Sequence, residues 1–157
     1  TLLRLGLDTF TPSDDLDELQ LMALINGLKS LSSTYPAAAD PVSRLVFTLY
    51  RRMPTFHSQH CLYANLLSSG QDAKTCGQPC LKKDLYLIDR LQYSHLVRND
   101  YCCRNTIFDQ TPKQRQKQLP SLSRSGVCAY RLEFLDETDE QVKKIFTYYN
   151  NLLQNPL

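Results

Sequence analysis

A chain of 157 residues with 42% hydrophobic and 22% charged side chains has the size and composition of one ordinary folded domain, which excludes wholesale disorder. Its formal net charge of +2 is too even to argue for nucleic acid or an anionic membrane surface as a partner. No apolar run approaches the ~20 residues that span a bilayer, and Thr1-Leu2-Leu3-Arg4-Leu5 lacks the basic flank and apolar length of a signal peptide.

Residues 1–10 are apolar and short, and read as a strand or as a lead-in to the first helix. Thr11-Pro12-Ser13-Asp14-Asp15 reads as a helix start, with acids suited to the positive end of the helix dipole. Leu16, Leu19, Leu24, Leu28 and Leu31 then fall near one face, broadened by Met22 and Ile25, which predicts helix to about Ser32. Asp40-Pro41 opens a second helix with a capping acid and a proline at the first position. Val42, Leu45, Val46, Leu49 and Tyr50 supply its stripe, and Pro54 ends it. A shorter third helix runs from about His57 to Leu67. A fourth carries Leu81, Leu85, Ile88, Leu91 and His95 on one face.

From Arg104 to Gly126 the periodicity fades, and Leu119-Pro120-Ser121 argues against helix. Val127 to Phe134 alternates like a single short strand, pairing with the N-terminal segment or with Asn105–Phe108. Thr138-Asp139-Glu140-Gln141 is a capping-box pattern that opens a last helix, with Val142, Ile145, Phe146, Tyr149, Leu152 and Leu153 inward and Pro156 closing it. The expectation is a mainly α fold. Four to five amphipathic helices pack around one core in a single domain spanning 1–157, with an irregular middle and one short β element at 127–134.

Six cysteines, Cys61, Cys76, Cys80, Cys102, Cys103 and Cys128, stand in that middle, and the flanking helices have none. An even count confined to one region predicts three disulfides formed in an oxidising compartment, hence a secreted, extracellular protein. The competing reading is reduced cysteine with zinc, for which His57, His60, Cys61, Cys76, Cys80, His95, Cys102 and Cys103 are the soft ligands. Against it, the chain has no paired C-x2-C knuckles. On the disulfide reading there is no metal and no cofactor.

Reactive groups are sparse. The chain has no G-x-S-x-G elbow, phosphate-cradling glycine loop or H-E-x-x-H motif. His57 and His60 are three apart, as a helical metal pair would be, and also stand where an exposed helix start is common. His95 lies beside an apolar face. The segment Arg98-Asn99-Asp100-Tyr101-Cys102-Cys103-Arg104-Asn105 resembles the catalytic segment of the small secreted phospholipases A2 of microbes and fungi. Asn99 takes the position of that family's catalytic histidine, and asparagine cannot act as a general base, so the resemblance implies at most a degenerate hydrolase. Cys76-Gly77-Gln78-Pro79-Cys80-Leu81-Lys82-Lys83-Asp84 is similar to the C-x3-C step of insect odorant-binding proteins, which implies a carrier of a small hydrophobic ligand. The spacing from Cys61 to Cys76 and the adjacent pair at 102–103 depart from that family's pattern.

The function expected from the residues is therefore non-enzymatic: a secreted, disulfide-stabilised helical protein that binds an extracellular protein partner or receptor, as a signalling ligand or effector. The basic loop carrying Lys113, Arg115, Lys117 and Arg124 is its contact surface.

Overall fold

Along the chain the elements run α1 (Glu18–Thr34), β1 (Val46–Arg51), β2 (Pro54–Ser58), α2 (Leu62–Leu67), β3 (Leu85–Ile88), β4 (Ser94–Asn99), β5 (Asn105–Phe108), β6 (Lys113–Gln114), α3 (Leu119–Arg124), β7 (Ala129–Leu132) and α4 (Asp139–Gln154). The structure is a computed structural model that describes residues 7–34, 40–70, 72–100 and 102–154. The expectations for residues 1–6 and for Pro156 lie outside these. The chain divides into two compact units. Unit 1 is Thr1–Arg51 with Lys113–Leu157, and unit 2 is Arg52–Pro112.

Unit 1 is built on a three-stranded sheet in the order β6-β1-β7, with β1 antiparallel to β6 and parallel to β7. Its central strand is buried along Phe47, Thr48, Leu49 and Tyr50, as expected of a strand covered on both faces. Phe10 forms a parallel bridge to Leu45, with Val46 N–H donating to the Phe10 carbonyl. The core joins Leu21, Ile25 and Leu28 of α1 to Leu45, Phe47 and Leu49, to Leu119 and Leu122 of α3, and to Tyr149 of α4. Both long helices begin with reciprocal caps. Asp17 Oδ1 accepts from Gln20 N–H at 2.8 Å while Gln20 Oε1 accepts from Asp17 N–H, and Thr138 and Gln141 do the same for α4.

Unit 2 is a four-stranded antiparallel sheet in the order β2-β5-β4-β3. Leu85, Val97 and Ile107 stand in register across three strands, and Val97 and Ile107 pack with Tyr63 of α2, whose hydroxyl donates to the Val97 carbonyl at 2.8 Å.

The mainly α expectation is corrected: the described residues hold seven strands in two sheets beside four α-helices. The predicted helix over 40–53 is a turn followed by β1. Its stripe of apolar residues is also a run of continuously buried strand residues, a pattern that periodicity alone does not separate. The predicted fourth helix is the β3–β4 hairpin. Its turn is held by Asp89, whose Oδ1 accepts from Leu91 and Tyr93 N–H groups, and Gln92 takes a positive φ of 67°. The third helix shrinks to α2, with β2 in place of its first turn. Residues 104–126 are ordered as β5, β6, a 3-10 turn and α3, where Pro120 occupies the first turn that tolerates proline. The short strand within 127–134 is present as β7, but it pairs with β1.

The three predicted disulfides are corrected as well. All six cysteines are free thiols, so the step from disulfides to an oxidising, extracellular compartment loses its premise. Among the described residues, no helix is long and apolar enough to cross a membrane.

Candidate metal centre

Five of the six cysteines belong to unit 2. Cys61 is the N-cap of α2, and its Sγ accepts from the Ala64 N–H at 3.5 Å. Cys76 and Cys80 flank a tight connection in which Gly77 and Gln78 both take positive φ, 68° and 52°. There the Gln78 N–H donates to Cys76 Sγ at 3.4 Å. Cys102 and Cys103 lie in the turn from β4 to β5, where Cys103 itself takes a φ of 59°. Two of the three described non-glycine residues with positive φ are therefore in the cysteine loops. Left-handed backbone at non-glycine positions concentrates where a site holds it.

The turn that presents Cys103 is organised by Asp100. Its Oδ1 accepts from the backbone N–H groups of Cys102 and Arg104, each at 2.9 Å, and its Oδ2 accepts from Arg104 Nε at 2.8 Å. The Arg104 side chain, helped by these N–H groups, holds the Asp100 carboxyl below the usual carboxylate range.

These segments bring Cys61, Cys76, Cys80 and Cys103 onto the wall of one cleft of about 500 Å3, beside Tyr63 and Asn99. Partial burial pushes the Cys103 thiol up, and Cys61, Cys76, Cys80 and Asp100 push it the same way. A bound cation would reverse that effect at Cys103, since a coordinated thiol loses its proton outright. Among the described residues, no three His, Cys, Asp or Glu side chains close tightly enough to hold a single metal ion. Cys102 is exposed on the wall of an adjoining cleft with His60 and Asp72.

The other predicted site residues are dispersed. Cys128 lies in unit 1, exposed, with its thiol 3.6 Å from the Ser43 carbonyl. Arg115 is buried with its guanidinium 5.1 Å over the Phe47 ring and bonded to the Asp14 carbonyl at 2.7 Å. Lys113 reaches the same carbonyl at 3.3 Å. Lys117 and Arg124 are exposed, in the 3-10 turn and the last turn of α3. His57 Nδ1 is 2.8 Å from Thr106 Oγ1, and His95 stands between Asp89 and the Phe108 carbonyl. Asn99 of the phospholipase-like segment is on the thiol cleft, and no histidine lines that cleft.

Sequence reasoning missed Asp100 as the support of the cysteine turn, and Asn105, whose Oδ1 accepts from the Leu62 N–H beside Cys61. Asp100, two residues before the first of two adjacent cysteines, is the one signal that could have marked the turn. Compared with known proteins, the chain matches no family, no curated protein and no solved structure.

Proposed function

We propose that unit 2 carries a thiolate-ligated metal centre on Cys61, Cys76, Cys80 and Cys103, and that the chain serves as the protein scaffold of that centre. The observation that supports it is the convergence of four unpaired thiols, from three separate segments, on one cleft. Thiolate sets of this kind select zinc or an iron–sulfur cluster. No group among the described residues is arranged to hold a single ion, so the centre we propose is an iron–sulfur cluster, whose four thiolates are shared among several irons. The backbone N–H groups donating to Cys61 and Cys76 fit the same reading, because hydrogen bonds to sulfur stabilise the thiolate form.

Anaerobic purification followed by measurement of iron, acid-labile sulfide and zinc tests this. Iron and sulfide in equal amounts, with sulfur-to-iron charge-transfer absorption, are expected in the wild-type protein. They should be absent in Cys61→Ser and Cys103→Ser and retained in Cys128→Ser. Stoichiometric zinc alone would keep the thiolate centre and overturn the choice of cluster. A protein that binds neither metal, as isolated or after anaerobic reconstitution, overturns the proposal.

A further inference from the structure

The two outer strands of the unit 2 sheet, β2 and β3, are built differently. Strand β2 starts at Pro54, carries Thr55, His57 and Ser58, and breaks register between Pro54 and Phe56. Proline, polar side chains and a bulge are the ordinary means of closing a sheet edge to further pairing. Strand β3, Leu85-Tyr86-Leu87-Ile88, has none of them. It pairs with β4 in unbroken register and holds neither proline nor charge.

The outer edge of β3 offers both backbone and side chains. Asp89 N–H donates to the Tyr93 carbonyl at 3.0 Å, and bonding alternates along an antiparallel ladder. Leu87, opposite His95, and Leu85, opposite Val97, therefore direct their backbone groups to β4 as well. The N–H and C=O groups of Tyr86 and Ile88 point outward, and among the described residues no strand pairs with that edge. Leu85 and Leu87 turn onto the cluster of Tyr63, Val97 and Ile107. Tyr86 and Ile88 thus stand on the opposite face, 45% and 57% exposed.

We propose that β3 pairs antiparallel with β3 of a second copy of this chain, about a two-fold axis at Leu87, so that two four-stranded sheets become one. That register sets Tyr86 opposite Ile88 of the second copy, and Ile88 opposite its Tyr86. The outward backbone groups of both residues then meet partners, and the four exposed apolar side chains cover one another. Charge complementarity supports the arrangement. Lys82, Lys83 and Asp84 precede the strand, and Asp89 and Arg90 follow it. Parallel pairing in register would set Lys82 and Lys83 against their own copies. A slip of one residue would set Asp84 against Asp89 and Lys83 against Arg90. The axis at Leu87 sets Asp84, already held by Arg98, opposite Arg90 of the second copy at both ends. The pairing uses no cysteine and is independent of the metal centre.

Sedimentation equilibrium over a range of concentrations tests it, with two double variants. Tyr86→Lys with Ile88→Lys sets lysine opposite lysine in both pairs and should weaken self-association about 100-fold. Tyr86→Lys with Ile88→Glu sets lysine opposite glutamate and should keep the dimer. Far-ultraviolet circular dichroism of both should match that of the wild type. A wild type that keeps the mass of one chain at every concentration overturns the proposal, as does a dimer that survives equally in both variants. Loss of the dimer in both overturns the register centred on Leu87. A second measurement needs no variant. The amides of Tyr86 and Ile88 should gain protection from hydrogen exchange as the wild-type concentration rises, while that of Leu87 is protected throughout. Equal exchange of Tyr86 and Ile88 in dilute and concentrated protein overturns the pairing.

Discussion

Unit 1 and unit 2 reach order by different means. Twelve buried side chains form the cluster that holds unit 1 together, drawn from α1, α3, α4 and the sheet. The corresponding cluster in unit 2 has three, Tyr63, Val97 and Ile107, and two of the side chains packed against it are Cys61 and Cys80. A segment as short as Arg52–Pro112 buries a smaller share of its surface than a larger domain does, so its margin of stability from apolar contacts is small. With no disulfide present, the thiol cleft is where unit 2 has something to add. On the proposed metal-centre reading the cysteines supplement a small core, and folding and metal binding in unit 2 should be one event.

The largest effect should come from stripping the metal. Structural thiolate sites can contribute about 10–16 kcal/mol to the folding of a small module. Chelation of the metal-loaded protein should therefore abolish amide hydrogen-exchange protection in β2, β3, β4 and β5 while β1 and α4 stay protected. If protection in the two units falls together, or persists in both, the contrast between them is wrong.

Unit 1 should answer instead to its apolar core. Phe47 is 2% exposed and lies under the Arg115 guanidinium, so Phe47→Ala removes a packed ring and a cation–π partner. It should cost about 3–5 kcal/mol in denaturant unfolding of unit 1. Phe146, at 59% exposure, is the control: Phe146→Ala should stay within about 0.5 kcal/mol. Comparable losses in the two variants would show that the core of unit 1 has been misplaced.

The smallest effect is a dependence of unit 1 on acid. Burial pushes the Glu137 carboxyl up, but the Leu135 N–H and the Tyr50 hydroxyl, each at 2.7 Å, outweigh it and hold the group below the usual carboxylate range. A carboxyl lowered in the folded state stabilises the fold above its unfolded value, and that contribution is lost as pH falls through the folded one. Stability of unit 1 should thus decline on acidification through and below the ordinary carboxylate range, measured by urea unfolding at a series of pH values. Glu137→Gln should flatten that decline. An unchanged slope in the variant would assign the acid sensitivity elsewhere.

What could be read from the residues follows from where the periodic signal is unique. Helix α4 was legible because a long apolar stripe follows the capping pair Thr138 with Gln141. Helix α1 was legible from its stripe alone: its expected start at residues 11–15 is non-helical, and the helix is capped instead by Asp17 with Gln20. Strand β7 was legible because its short alternation has no helical rival. Strand β1 was not, since Val46-Phe47-Thr48-Leu49-Tyr50 is buried on both faces and fits a helix stripe equally well. The β3–β4 hairpin was hidden because its turn, Asp89 to Tyr93, contains neither glycine nor proline. The cysteines suggested disulfides, and the structure shows free thiols in their place. Their convergence depends on β2 pairing with β5, a long-range match of Ser58 with Asn105 that brings the segment leading to Cys61 beside the one following Cys103 and that no spacing rule contains.

The register of the first sheet gives unit 2 one more property. Arg51 and Lys113, the residues on either side of Arg52–Pro112, are paired across adjacent antiparallel strands. Their backbones are therefore about 5 Å apart, the separation bridged by a hairpin turn of two residues. Unit 2 occupies the place of a loop. It could be cut out and replaced by an Asn-Gly turn without asking β1 or β6 to move, or exchanged for another module whose ends lie equally close.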